Sequence, residues 1–316
     1  MTIASRAAER EPLSGMTDQS LRVPVQSAVR GILLLVASTV FFSLCDVITK
    51  YLTASLSAVE IAWIRYATFS CIVVPVILFS KGAVLFRSSR PGLQVLRSLG
   101  IVGSTLFFAQ GLRSLPVAES TAIYFISPIL IMAMSILFLG ETVGWRRWMA
   151  ALVGLVGVLV VIRPGTDAFQ ATALLPLLGA TSWASGAVVT RKMSGQDHPL
   201  TMLVYSAVYG CLVLSILLPF NWVPPTAGEI GLALLMGLVF AIGQWLVVLA
   251  YRHGSASAIA PFSYVQLIWA GALGYLVFGA LPDGWTIVGA CIIAASGLYT
   301  AYRERVRMLE ARARGA

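Results

Sequence analysis

The sequence has few charged residues for its length. Asp, Glu, Lys and Arg make up 11% of its 316 residues, whereas soluble globular proteins carry about 25%. So few charges cannot cover a surface that faces water. A soluble enzyme, a nucleic-acid-binding domain and a disordered protein are therefore excluded, and we expect no nucleic-acid partner.

Cysteine and histidine are also scarce, and their spacing shows no known motif. The chain has four cysteines and two histidines, with neither a CxxC pair nor a histidine at ligand spacing. This pattern predicts neither a disulfide framework nor a metal site. Because P-loop, Rossmann and catalytic-triad spacings are missing as well, we expect no enzymatic activity, no catalytic residues and no cofactor.

Hydrophobic residues dominate what is present. They make up 58% of the chain, and the mean hydropathy is +0.87. A helix needs about 20 apolar residues to cross a hydrocarbon core of about 30 Å. Because unpaired backbone cannot face lipid, apolar runs of this length predict an all-α integral membrane protein with ten transmembrane helices. The runs lie near residues 31–51, 59–79, 93–112, 118–139, 146–162, 172–191, 199–219, 229–251, 257–279 and 284–302.

The positive charges are divided unequally between the loops. If the N-terminus is cytoplasmic, 18 of the 22 Lys and Arg residues fall on that side. Positive residues are retained in cytoplasmic loops, so we predict the inner membrane with both termini cytoplasmic. The predicted cytoplasmic segments are residues 1–30, in which no cleavable signal is expected, and a basic tail at residues 303–316.

A weak internal repeat runs through the chain at an offset of about 140 residues. Tyr66 matches Tyr205, and Arg113 matches Arg252. Each repeat contains five spans, an odd number, so the second copy enters the membrane from the opposite side. Inverted repeats are typical of transporters that expose a midplane site alternately to each side. The predicted repeats cover residues 31–163 and 172–302.

The residues resemble those of a known transporter family. In the first repeat the shared pattern comprises Phe42–Tyr51, Arg65-Tyr66, Ser127-Pro128 and the run Leu139–Thr142 before Trp145. This pattern resembles the EamA family of the drug/metabolite transporter superfamily. The second repeat departs from it at Gln266-Leu267 and Gly279-Ala280. The resemblance implies a ten-helix carrier of amino acids, nucleobase-like or vitamin-like metabolites, or drugs.

Two charged residues inside the first two spans are the strongest candidates for a site. Asp46 and Arg65 each lie about six residues from the short loop that joins these spans, and therefore at similar depth. Charged groups inside a membrane usually face a partner or a cavity. Arg65 offers a planar fork for a carboxylate or phosphate, and Asp46 can hold an amine. The alternative is a structural ion pair between the two helices.

Deep aromatic and amide side chains complete the predicted substrate site. Tyrosine and tryptophan combine an apolar body with a polar group, as a pocket for an amphipathic metabolite requires. Gln244 lies in the middle of its span. Two roles are open for its amide: a contact with polar ligand atoms, or a hydrogen bond between helices. The predicted substrate-binding residues are Asp46, Arg65, Tyr66, Tyr124, Gln244, Trp245 and Tyr264.

Together, these features predict a secondary transporter that moves a small organic metabolite by alternating access. An amino acid or a related compound is the first candidate substrate. The alternatives are a flat, vitamin-like molecule such as riboflavin, or a channel or non-transporting membrane scaffold. The expected partners are this small-molecule substrate and the lipid bilayer. Substrate identity, transport direction, coupling ion and oligomeric state are left open.

Overall fold

The computed structural model describes residues 25–81, 88–140, 145–166, 170–193, 197, 199–253 and 259–315. The predicted N-terminal segment up to residue 24 lies outside the described residues, as do Glu141 and Thr142 of the family motif. Within the described ranges the ordered elements are helices, with no strand.

Eleven α-helices form the described part of the chain. They are α1 Val25–Leu52, α2 Ala58–Lys81, α3 Pro91–Ser114, α4 Val117–Tyr124, α5 Ser127–Leu139, α6 Trp145–Ile162, α7 Leu174–Lys192, α8 Pro199–Leu217, α9 Ala227–His253, α10 Gln266–Phe278 and α11 Gly284–Gly315. Among the described residues, eight helical segments are long and apolar enough to cross a membrane, with α4 and α5 counted as one. Two shorter apolar helices, Trp148–Ile162 and Phe262–Phe278, complete the ten predicted spans, so the predicted all-α fold is confirmed.

The fourth and ninth spans are both interrupted. In the fourth span α4 ends at Tyr124 and α5 begins at Ser127, with Pro128 in the first turn of α5. Proline is tolerated there because a first-turn N–H has no partner within the helix. In the ninth span a 3-10 helix, Ala260–Val265, runs into α10. Interrupted helices expose backbone groups inside the membrane, and such backbone must be surrounded by protein or line a cavity.

The two interrupted spans also end alike. α5 is followed by Gly140 at φ 67°, and α10 is followed by Gly279 at φ 66°. Both values lie in the left-handed region, which glycine adopts without a steric penalty. The same helix ending therefore occurs at repeat-related positions in the two halves.

Helix packing has an approximate twofold pattern. α1 packs on α9, and the repeat-related pair α7 and α3 packs in the same way. α2 packs on α8, and α6 packs on α11. This last contact is close, since a Cβ atom on Gly289 would lie 2.6 Å from the Gly157 carbonyl oxygen. Exchange of packing partners between the halves is the arrangement expected of two related repeats.

Large apolar side chains cover much of the outside. Phe79 is 92% exposed, Phe220 is 84% exposed and Leu137 is 78% exposed. Such a surface is unfavourable in water and suits lipid tails. Polar side chains of the interior instead face other helices, and this segregation makes any charged cluster between helices a candidate site.

Candidate functional site

Asp46 of α1 meets the second half of the chain at the start of α10. The Gln266 side chain donates a hydrogen bond from Nε2 to Asp46 Oδ2 at 3.2 Å. One turn earlier on α1, the Ser43 hydroxyl donates to the Gln266 carbonyl oxygen at 3.4 Å. The polar face of α1 therefore contacts the ninth span where its 3-10 helix gives way to α10.

Arg65 of α2 is held by neutral and aromatic groups. Its Nη2 donates to Thr105 Oγ1 at 2.7 Å, and its Nη1 lies 4.0 Å from Cys45 Sγ. The guanidinium carbon lies 4.8 Å from the ring centre of Phe240 and 5.7 Å from that of Tyr66. The buried Nε has no hydrogen-bond partner among the described residues, so one donor of the planar fork is unused.

Asp46 and Arg65 do not form an ion pair. Within the described residues, the one ion pair joins Arg163 Nη2 to Asp283 Oδ2 at 2.8 Å, away from this cluster. Arg65 nevertheless lies beside the same turn of α1, since its Nη1 is 4.0 Å from Sγ of Cys45, the residue before Asp46. The structural ion pair considered from the sequence is therefore not formed. Both charges are held by neutral neighbours, and each remains available to a group of opposite sign.

Two of the predicted tyrosines lie beside Arg65 and contact α3. The Tyr66 hydroxyl is 3.4 Å from Thr105 Oγ1, while its buried ring packs against Gly210 of α8. The Tyr124 hydroxyl is 2.8 Å from Ser104 Oγ. Because Ser104 and Thr105 are consecutive, α3 brings both tyrosine hydroxyls close to Arg65.

Tyr264 is directed elsewhere. Its hydroxyl lies against Gly297 of α11, and its ring centre is 5.0 Å from that of Phe125. It also lines an apolar groove of about 650 Å³ between α10 and α11. Tyr264 therefore helps to pack the interrupted spans and makes no hydrogen bond to Asp46 or Arg65.

The neighbours Gln244 and Trp245 face different directions on α9. Trp245 is 48% exposed and shares a helix face with the exposed side chains of Leu238 and Ile242. Gln244 is half-buried and follows Phe240 by one turn on the face towards Arg65. Its side chain makes no hydrogen bond with any residue that the structure describes. Of the two, Gln244 belongs to the neighbourhood of the cluster and Trp245 to the outward surface.

Three site residues were not predicted from the sequence. Gln266 was noted only as a departure from the family pattern, and Thr105 was not among the predicted substrate-binding residues. Phe240 forms an aromatic cluster with Phe42 and Phe69, at centre distances of 6.1 and 5.3 Å. Gln266 could have been found from the sequence, because it is a polar residue deep in a span at a position where the family usually has proline. Nothing in the sequence distinguishes Phe240 from other apolar positions.

The architecture and the polar cluster between its halves define a membrane protein of the inverted-repeat transporter class. The sequence profile of the EamA-like transporter family matches residues 29–163 and again residues 170–302. The chain belongs to this family, as its motifs predicted.

Several relatives are named as transporters of different compounds. The chain is 29% identical over 285 residues to the S-adenosylmethionine uptake transporter of Rickettsia prowazekii, covering 90% of this chain and 96% of the relative. It is 30% identical over 305 residues to a riboflavin transporter of Rhizobium johnstonii, covering 93% of this chain and 98% of that relative. It is 28% identical over 271 residues to a pseudopaline exporter of Pseudomonas aeruginosa, covering 84% of this chain and 94% of that relative.

The fold is also found in a solved structure. One crystal structure matches with a TM-score of 0.59 and 19% sequence identity, covering 87% of this chain and 97% of its own. A likeness at this identity shows a common fold. The family and the named relatives support a multi-pass membrane transporter of small molecules and leave its substrate open.

Proposed function

We propose that this protein is a secondary carrier whose substrate binds at the Asp46–Arg65 cluster between the two halves. The observation that carries the proposal is that Arg65 contacts the turn of α1 that bears Asp46, while each of the two charged groups is held by neutral side chains and not by the other. Charges inside a membrane are costly unless a partner compensates them. A substrate that carries both signs compensates both residues at once.

The chemistry of the cluster favours an amino-acid head group. The Arg65 fork is suited to a carboxylate, which accepts two parallel hydrogen bonds. The Asp46 carboxylate accepts hydrogen bonds from an ammonium group and balances its charge. The ring of Phe240 lies 4.8 Å from the Arg65 guanidinium carbon, and Tyr124 contacts Ser104 beside the Arg65 acceptor Thr105. Both rings can contact a flat apolar part of the same molecule.

S-adenosylmethionine combines these features and is our first candidate. It has an amino-acid head, a positively charged sulfonium and a flat adenine ring, and it is the named cargo of the Rickettsia relative. Riboflavin is the second candidate. The aromatic cluster of Phe42, Phe69 and Phe240 favours its flat ring, and it is the named cargo of the Rhizobium relative. Because riboflavin has no amino-acid head, it leaves Asp46 and Arg65 uncompensated.

Calorimetric titration of the purified protein with S-adenosylmethionine, methionine and riboflavin tests the choice. We expect S-adenosylmethionine to bind more tightly than methionine, because the adenine ring adds contacts. Arg65→Gln is expected to weaken S-adenosylmethionine binding on the order of tenfold or more, since a charged hydrogen bond is lost. Binding of riboflavin alone would select the second candidate, and binding that is unaffected by Arg65→Gln would contradict the proposed site.

A further inference from the structure

Arg97 joins the two halves of the molecule near one membrane face. It lies in the second turn of α3, in the first half. Its Nε donates to Thr190 Oγ1 of α7 at 2.7 Å, and its Nη1 donates to the Met202 carbonyl oxygen of α8 at 2.7 Å. Nη1 also donates to the Ser206 hydroxyl. Three acceptors from the second half therefore hold one guanidinium of the first half.

The acceptors of Arg97 are oriented by their own helices. The Thr190 hydroxyl donates to the Gly186 carbonyl oxygen at 2.8 Å, and the Ser206 hydroxyl donates to that of Met202 at 2.9 Å. With its proton used in this way, each hydroxyl oxygen presents its lone pairs to Arg97. Hydrogen bonds to a charged donor are stronger than neutral ones.

Asp197 adds a second link at the same face. It lies between α7 and α8 and accepts a hydrogen bond from Gln94 Nε2 at 2.7 Å. It also accepts hydrogen bonds from the Ser89 amide at 2.9 Å, from the Ser89 hydroxyl at 2.7 Å and from the Ser88 hydroxyl. All of these donors precede or begin α3, so they too connect the two halves. We call the contacts of Arg97 and Asp197 the α3 clamp.

The repeat-related contacts at the opposite face are weaker. Met236 of α9 occupies the position that corresponds to Arg97, and Thr49 of α1 corresponds to Thr190. Thr49 Oγ1 lies 3.2 Å from Met236 Sδ, and thioether sulfur is a poor acceptor. At this face Glu229 accepts one hydrogen bond from the other half, from the Ser55 hydroxyl. At the α3 face Asp197 accepts four. α3 is the third span and α9 the eighth, so these contacts lie at opposite membrane faces.

We propose that the α3 clamp is the stronger of two gates and that Arg97 makes it so, which biases the unloaded carrier towards opening at the face where α9 begins. The inference rests on the proposed function, because only an alternating-access carrier needs to separate its halves at each face in turn. Opening at the α3 face requires the three Arg97 hydrogen bonds and those to Asp197 to break. Opening at the α9 face breaks the Thr49–Met236 contact and single hydrogen bonds to Glu229 and Glu60. Substrate binding must compensate this difference before release at the α3 face.

The native cysteines provide a reporter for this bias. Cys45 is buried beside Arg65 between the halves, so a reagent reaches it only when one gate is open. Cys71→Ala, Cys211→Ala and Cys291→Ala leave Cys45 as the single thiol. A membrane-impermeant methanethiosulfonate reagent is then added to right-side-out or inverted vesicles, and the labelling rate is measured from each face.

The first variant is Arg97→Met, which gives α3 the same residue type that α9 has at the corresponding position, Met236. We expect Cys45 labelling from the α3 face to rise on the order of tenfold, because hydrogen bonds to a charged group are lost. Labelling from the α9 face is expected to fall as the population shifts. Asp197→Asn is expected to give a smaller change in the same direction. The matched control is Arg113→Met, which changes an exposed arginine of the same helix.

Equal labelling from both faces in the parent, or rates in Arg97→Met that match the parent, would overturn the proposal. If Arg97→Met does not insert, Arg97→Lys retains the charge without the fork and tests the same contacts. The assay needs no substrate. A shift in labelling together with failure of all three candidate ligands would therefore overturn the proposed substrate and leave the gate supported.

Discussion

At the residue scale, neutral side chains contact the charged groups of Asp46 and Arg65. The sequence predicted the two charged residues but not these neutral partners. Asp46 and Arg65 were identified because ionisable residues are rare within apolar spans. Their partners Gln266 and Thr105 come from α10 and α3. No spacing rule links these positions, because contacts between distant helices depend on tertiary packing.

The neighbours Gln244 and Trp245 offer a test at this scale. From the sequence both were expected to contact substrate, but adjacent helix positions point about 100° apart, and Trp245 faces outward. We expect Gln244→Ala to weaken substrate binding several-fold, because a neutral hydrogen bond contributes about 1 kcal/mol. Trp245→Ala should leave the Kd unchanged. Calorimetric titration of both variants at equal expression measures the difference, and a larger loss in Trp245→Ala would contradict this assignment.

Helix boundaries and interruptions are the features of the element scale. Ten apolar runs predicted the spans within a few residues at most ends, because hydrophobic length is a local property. Lys50 lies in the last turn of α1, and its Nζ donates to the Leu112 and Leu115 carbonyl oxygens at 2.9 and 2.7 Å. A cation at the end of α3 is favoured by the helix dipole, but the sequence alone does not show which helix end is near.

The close packing of α6 on α11 predicts a large effect from a small substitution. Gly289→Val introduces a Cβ atom 2.6 Å from the Gly157 carbonyl oxygen, which is backbone and cannot rotate away. We expect a loss of about 1–3 kcal/mol in the free energy of unfolding. Thermal unfolding of the purified protein in detergent measures it. Gly228→Ala, where a Cβ meets nothing within 4 Å, is the matched control, and equal melting temperatures for the two variants would contradict the packing.

The loop before α8 predicts a dependence of stability on pH. Partial burial alone would raise the pKa of Asp197, but hydrogen bonds from Ser88, Ser89 and Gln94 outweigh it and lower the pKa to about 2. The carboxylate therefore contributes stability above its unfolded pKa of about 3.9, and this contribution is lost as pH falls towards 2.

Melting temperatures between pH 6 and pH 3 check this dependence. The parent is expected to lose more stability over this range than Asp197→Asn, which has no carboxylate to protonate. The effect is small because Asp197 is only partly buried and solvent screens its interactions. Parallel curves for parent and variant would contradict the role given to these hydrogen bonds.

At the scale of the whole molecule, the sequence predicted two related halves, and the helices of the two halves exchange packing partners. Five spans per repeat and a strong bias of positive charge predict that both termini lie in the cytoplasm. A reporter that is active only outside the cytoplasm, fused after Ala316, should be inactive. The same reporter placed after Trp222, in a predicted outer loop, should be active. The reverse result would exclude this topology.

The central claim is that a small metabolite is carried through the Asp46–Arg65 cluster between the two halves. Counterflow of labelled S-adenosylmethionine into proteoliposomes loaded with the unlabelled compound tests it most directly, because a channel gives no such transient accumulation. We expect accumulation with the parent and with Arg113→Gln, and strongly reduced accumulation with Asp46→Asn and Arg65→Gln. Counterflow that is as fast in Asp46→Asn and Arg65→Gln as in the parent would contradict the claim.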